Sequence, residues 1–377
     1  MERLGLRYPI FQSPMAGVST AKLAAAVIRQ GGLGSLPLAG FDLRNGTGKL
    51  TEHLKSFADL LPEELRRNVN LNFFCHDRSI QATVPTQVET SNWKKLFSKG
   101  FGDNTKVDLN NIEFPISNVS FQEIEQNHPK EYAQVLDLLS EFQPKVVSFH
   151  FGLPSKNTVT HLQGAGTQVL VSVTSVEEAL AAVELGVFGV VCQGYEAGGH
   201  RGNFLVSQEL FDEKLSTYLL TKLVLESVPS GTFVVAAGGI MSGKDINTYL
   251  DLGVDGVQLG TAFLDTKESL SNGFFSTQIE SGTPLPTIMT SLVSGKSARC
   301  LRTPFIEKIM NSYNGSDELP AYGYSYSAYK SALKDANDSS FAFYLAGQGY
   351  PFLKGNGLDT ETVFRELVQE MEESKSM

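Results

Sequence analysis

Short apolar runs recur along the chain, separated by longer segments whose apolar residues return every three or four positions. Eight runs stand out: PIFQSPM (9–15), GLGSLPL (32–38), VNLNFF (69–74), KVVSFHFG (145–152), TQVLVSVT (167–174), FGVVCQG (188–194), FVVAAGGI (233–240) and DGVQLGTAF (255–263). Most are continuous rather than alternating, the pattern of parallel strands buried on both faces. Between them, TAKLAAAVIRQGG and SVEEALAAVELG carry helical spacing ended by glycine. Eight such units closing on themselves predict an α/β fold of the TIM (β/α)8 barrel type. A doubly wound open sheet is the rival, and the lack of an early GxGxxG loop favours the barrel.

Two stretches break the alternation. Residues 76–128 are polar and weakly periodic, which predicts an insertion after the third strand. Residues 265–345 contain SARCLRTPF and PAYGYSYSAYKSALK and predict a smaller, mainly helical cap, the substrate domain. The expected organisation is a barrel over 1–264, the cap over 265–345, and a segment over 346–377 that returns to the barrel with the amphipathic helix DTETVFRELVQEMEESK.

Composition narrows the class. With 377 residues and 41% hydrophobic content the chain fills a sizeable core, and 41 acidic against 31 basic residues, a formal charge of −10, argue against nucleic acid as a partner. Cys75, Cys192 and Cys300 are scattered with no paired spacing, so neither a zinc site nor a disulfide framework is expected. HxxxH and HExxH spacings are absent and no metal is expected. No run has signal-peptide character or approaches the roughly 20 apolar residues of a membrane span, so a cytoplasmic location without membrane attachment is the default expectation. Nothing in the pattern reports an oligomeric state.

In a barrel the strand C-termini share one face, and the unusual residues fall there: SPMAG after the first strand, Asn72 on the third, His150 on the fourth, QGYEAGGHRG after the sixth, AAGGI on the seventh and QLGTAF on the eighth. Gly239, Gly260 and Thr261 lie on the two late loops that commonly bind phosphate in this fold; the plainer reading is tight turns. A phosphate there, with a flat body over the barrel mouth, points to flavin mononucleotide. Asn72 and Gln193 have the donors and acceptors that a flavin ring edge needs, or serve nearby backbone. His200 stands among four glycines in QGYEAGGHRGNF. Such a loop leaves the imidazole unshielded by packing, and the adjacent Arg201 charge disfavours its protonation, as a base requires. His150 is either a site residue or a core histidine bonded to backbone. Tyr322, Tyr326 and Lys330 fall at i, i+4 and i+8, one stripe of a helix, which either holds an anion or is a solvated aromatic face. Cys192, inside an apolar strand, reads as core.

PIFQSPMAG, SFHFG, QGYEAGGHRG, AAGGI and QLGTAF, in this order, closely resemble the class I nitronate monooxygenases, formerly called 2-nitropropane dioxygenases, from about residue 8 to FYLAGQGYP near residue 352. The resemblance implies an FMN-dependent barrel with a substrate domain, oxidising alkyl nitronates such as propionate 3-nitronate, and in some members nitroalkanes, with O2 to a carbonyl compound and nitrite. By motif it implies flavin contacts at Met15, Asn72, Gln193, Gly198, Gly239, Gln258, Leu259, Gly260 and Thr261. It implies His200 as catalytic base, His150 beside the nitro group, and Tyr322, Tyr326 and Lys330 lining the pocket. Tyr324 and Tyr329 are additions to the family's Y-x3-Y-x3-K pattern and give that segment more than one ring to face inward. The competing readings are an enoyl-acyl-carrier-protein reductase of the same barrel type and a non-redox phosphate-binding lyase or isomerase.

Overall fold

The continuous apolar runs form strands buried on both faces. In the computed structural model, which describes residues 3–77, 83–102, 106–205, 211–271, 273–354 and 357–375, the strands are β1 (Ile10–Gln12), β2 (Gly34–Pro37), β3 (Val69–Phe74), β4 (Val146–His150), β5 (Gln168–Val173), β6 (Gly189–Gln193), β7 (Gly199–His200), β8 (Phe233–Ala237), β9 (Gly256–Leu259), β10 (Thr287–Thr290) and β11 (Ala298–Leu301). Eight of them make one parallel sheet in the order β1-β9-β8-β6-β5-β4-β3-β2. Its two end strands meet through a parallel bridge between Phe11 and Leu33, with the Gln12 N–H donating to the Leu33 carbonyl at 2.9 Å. The sheet therefore closes, and each of the eight expected strands is present.

Local sequence sets the helices that cross between strands. Ser155, Ser175, Ser216 and Ser242 each accept a backbone N–H of the helix they precede, satisfying one of the donors a helix start leaves free. Gly186 and Gly253 end two of these helices with φ of 92° and 107°, a conformation that costs a side-chain-bearing residue. The last helix, Thr360–Lys375, buries Val363, Phe364, Leu367, Val368 and Met371 against the barrel. It crosses so closely that a Cβ on Gly243 would lie 2.1 Å from the Met371 nitrogen.

A second core lies apart from the barrel. Trp93, Phe97 and Phe101, from the helix Gln87–Phe101 of the post-β3 segment, pack with Phe305, Ile306, Ile309, Ala328 and Tyr329. Trp93 and Phe97 stack with centroids 4.0 Å apart, and the Trp93 indole donates to Ser325 Oγ at 3.0 Å. The polar-looking segment 76–128 thus supplies a wall of this core, although 78–82 and 103–105 lie outside the described residues. The same region holds a three-stranded antiparallel sheet, β10-β11-β7, absent from the helical expectation. Its third strand is the two-residue β7, with His200 opposite Ala298.

The three cysteines are free and buried, Cys192 in the barrel core as expected. Among the described residues no group of His, Cys, Asp and Glu could hold a metal, and no helix is long and apolar enough to cross a membrane.

Candidate active site

The strand C-termini open into a cavity of about 480 Å³, and the fourteen residues singled out in the sequence all line it. Met15 follows β1, Asn72 lies in β3, His150 ends β4 and Gln193 ends β6. Gly198 and His200 are at β7, Gly239 follows β8, and Gln258 and Leu259 lead into Gly260 and Thr261 after β9. Tyr322, Tyr326 and Lys330 cover the opposite wall.

The late-strand side is backbone. Gly238 and Gly239 have φ of 123° and 72°, so the chain turns there in a way β-carbon-bearing residues resist. Thr261 opens a short 3₁₀ helix, and neither its N–H nor that of Gly239 is donated to a protein acceptor among the described residues. The Thr261 hydroxyl accepts the Gly347 N–H at 2.9 Å, tying this loop to residues 346–349. A Cβ on Gly198 would lie 2.4 Å from the Gly347 nitrogen, so only glycine permits this approach. The paired loops leave donors facing a space that side chains do not fill, the arrangement that suits a phosphate.

The two amides are more committed to protein than their spacing alone announces. Asn72 donates to Ser148 Oγ at 2.9 Å and to the Ser148 carbonyl at 3.3 Å, leaving Oδ1 as its acceptor. Gln193 donates to the His200 carbonyl at 3.0 Å and accepts the Gly202 N–H at 2.7 Å. It therefore anchors the β7 loop while lining the cavity. His150 Nε2 lies 3.3 Å from the same carbonyl and, a carbonyl being an acceptor only, is the donor.

His200 departs from the sequence reading in two ways. Its loop is glycine-rich, yet the imidazole is half-buried among the rings of Phe151, Tyr322, Tyr326 and Phe343, with centroids 5.2–6.5 Å away. The shielding comes from the second core's side of the cavity, not from the loop. Burial pushes the His200 pKa down to about 3, helped by His150, Lys296 and Lys330. Arg201 does not contribute: its guanidinium is buried in a bidentate pair with Asp212, at 2.8 and 2.9 Å, and reaches the Thr174 carbonyl at 3.4 Å. Arg201 follows the end of β7 and turns to Asp212, which separates the two neighbours. His150 is likewise held near a pKa of about 4, by burial and then by Lys296. Both imidazoles are neutral at physiological pH.

The stripe expected over Tyr322, Tyr326 and Lys330 is only partly helical. The helix Tyr324–Ala336 starts after Gly323, whose φ is 96°, so Tyr322 enters the cavity from the preceding turn. Tyr322 and Tyr326 nevertheless stack with centroids 6.4 Å apart, and Lys330 Nζ lies 4.0 Å from the Tyr326 ring centre. Burial raises both phenols, Tyr326 to about 12, so each keeps its proton. Of the additional tyrosines, Tyr329 belongs to the second core and donates to the Phe341 carbonyl at 2.7 Å; Tyr324 is buried and does not line the cavity.

Four contributors escaped the sequence reading. Asn118 lines the cavity and donates to the Tyr322 hydroxyl at 3.0 Å. Its φ of 58° marks a constrained position, but no motif announces it. Phe151, with φ of 76°, stands inside SFHFG, where only His150 carries a chemical signal. Ser294 lies 2.9 Å from His200 Nε2, and Lys296 Nζ lies 5.2 Å from the Phe151 ring centre. Lys330 lines the cavity, Lys296 acts on its histidines, and no carboxylate lines it among the described residues. Such a lining suits an anion.

The family profile described as nitronate monooxygenase matches residues 1–372. A candidate nitronate monooxygenase of Saccharomyces cerevisiae is 44% identical over 371 residues, covering 95% of this chain and 89% of that one. The nitronate monooxygenase of Pseudomonas aeruginosa is 36% identical over 374 residues, covering 98% and 97%. Among solved structures, a nitroalkane oxidase from Streptomyces ansochromogenes superposes with a TM-score of 0.78 at 29% identity, covering 98% and 97%. The family match makes this barrel an oxidoreductase of the flavoprotein class. The chain belongs to the nitronate monooxygenase family.

Proposed function

We propose that this protein is an FMN-dependent enzyme that oxidises alkyl nitronates, propionate 3-nitronate among them, with molecular oxygen to a carbonyl compound and nitrite, His200 serving as base when a neutral nitroalkane is the substrate. One observation carries the reading: a neutral imidazole and a lysine line a single cavity that, among the described residues, has no carboxylate in its wall and offers backbone donors without protein acceptors on its far side. FMN, when bound, supplies the redox chemistry.

The chain's own residues divide the remaining work. The N–H groups of Gly239 and Thr261 are the donors for the phosphate, and Gly198 lets the segment after β6 close on Gly347, whose N–H the Thr261 hydroxyl accepts. Met15, Asn72, Gln193 and the run Gln258, Leu259, Gly260 border the flavin ring. Lys330 and the protonated phenols of Tyr322 and Tyr326 offer positive charge and donors to a nitronate oxygen, with His150 beside them. A nitroalkane entering neutral carries an acidic α proton, and the neutral imidazole of His200 accepts it; the anion formed then meets the same donors. A preformed nitronate bypasses that step. We assign the second core, over 265–345 with the helix contributed by the post-β3 segment, as the substrate cap that excludes water. The buried free thiols accord with the reducing cytoplasm.

Oxygen uptake across a panel of nitronates and nitroalkanes tests this reading, with NADH and NADPH as controls. A yellow protein releasing FMN on denaturation and consuming oxygen with propionate 3-nitronate is expected. A colourless protein, or rapid bleaching of the flavin by NADH with no oxygen uptake on the nitronate, would overturn it. His200→Asn is expected to keep its flavin and to lose about 10²–10⁴-fold on neutral nitroalkanes, far more than on nitronates.

A further inference from the structure

His200 Nε2 lies 2.9 Å from Ser294 Oγ, and that oxygen lies 2.9 Å from the carbonyl of Lys296. Ser294 is fully buried, so no solvent completes its bonding. Its hydroxyl has a single proton. The Lys296 carbonyl only accepts, so the hydroxyl donates to it, and the remaining serine lone pair receives a proton from the imidazole. In the reverse arrangement two oxygen lone pairs face one another at 2.9 Å with no proton between them, which is repulsive.

From this we propose that Ser294 is a positioning residue, holding His200 as the Nε2–H tautomer so that Nδ1 carries the lone pair that takes the substrate proton. The serine is itself fixed. Gly295 follows it with φ of 83°, and a Cβ there would lie 2.6 Å from the Tyr322 nitrogen, so the 294–295 turn is packed onto the segment that supplies Tyr322. Nδ1 of His200 has no hydrogen-bond partner among the described residues. His150 does not compete for it, because its Nε2–H is spent on the His200 carbonyl. Lys296 donates its ammonium to Asn203, at 3.1 and 3.3 Å. One face of the imidazole is thereby tied to protein and the other nitrogen left for whatever occupies the cavity.

The inference rests on the reading of His200 as base, and the experiment separates the two. The holoenzyme labelled with ¹⁵N-histidine is examined at pH 7 by long-range ¹H–¹⁵N correlation, with the His200 signals assigned by their loss in His200→Asn. The expected spectrum shows a proton-bearing Nε2 and a bare Nδ1. In Ser294→Ala the two nitrogens should move toward averaged values. Proton abstraction from neutral nitroalkanes should fall about tenfold, the size of one lost hydrogen bond, with preformed nitronates affected less. Ser294→Thr, which keeps the hydroxyl, should restore the spectrum and the rate. A proton on Nδ1 in the unsubstituted enzyme, or unchanged His200 signals in Ser294→Ala, overturns the proposal. Equal losses on both substrate forms in His200→Asn instead overturn the role of Nδ1 as base, while the spectrum alone decides the tautomer.

Discussion

Changing pH perturbs His200 without touching a single contact. The groups facing its ring are His150, Lys296, Lys330, Tyr322, Tyr326 and Ser294, none of them acidic, and its pKa lies at about 3 with burial the leading cause. A depressed value means that the neutral form persists as pH falls. At pH 5.5 an ordinary imidazole, pKa about 6.5, is only about one-tenth neutral, whereas a group at about 3 is almost wholly neutral. The rate constant kcat/KM for neutral nitroethane, followed by oxygen uptake at constant ionic strength, is therefore expected to stay level within about twofold from about pH 8 to about pH 5. An unshifted base would lose about tenfold per unit below about pH 6. A limb with an apparent pKa between about 6 and about 7 that vanishes in His200→Asn would refute the argument. Lys330→Met removes one of the cations and should move the histidine back toward its ordinary value.

Three further outcomes follow from packing. Trp93→Ala empties the centre of the second core and removes the donor to the Ser325 hydroxyl, so chemical denaturation should register a loss of about 3–5 kcal/mol, and under 1 kcal/mol would mean the helix Gln87–Phe101 is not integral to that core. Arg201→Ala leaves the Asp212 carboxylate buried without its partner and should cost about 3–5 kcal/mol, with the double change Arg201→Ala, Asp212→Ala costing less than the sum of the singles. In Gly198→Ala the new carbon meets the backbone of Ala346 and Gly347 at 2.4–2.6 Å, so the two loops must separate; retention of visible flavin absorbance after gel filtration should drop, and full retention would show that the cradle tolerates the shift.

The barrel was legible because its signal is local. A strand buried on both faces writes a continuous apolar run, and each of the eight runs became a strand. The second core was not, since Phe97 and Phe305 meet only in the folded chain, and β7 is two residues long, too short for any period to register. Adjacency also misled where chemistry depends on direction. Arg201 follows His200 in sequence but turns to Asp212, and the cations that act on the imidazole, Lys296 and Lys330, come from segments far along the chain. The stripe spacing puts Tyr322 on a helix that begins only at Tyr324, after Gly323, and Asn118 donates to the Tyr322 hydroxyl from a distant segment. The glycines around His200 do have a role: they let other segments close on it, as Gly198 does with Gly347. A histidine that reads as exposed in its own loop is neutral because the rings of Phe151, Tyr322, Tyr326 and Phe343 bury it, so its acidity belongs to the tertiary structure and not to the motif that contains it.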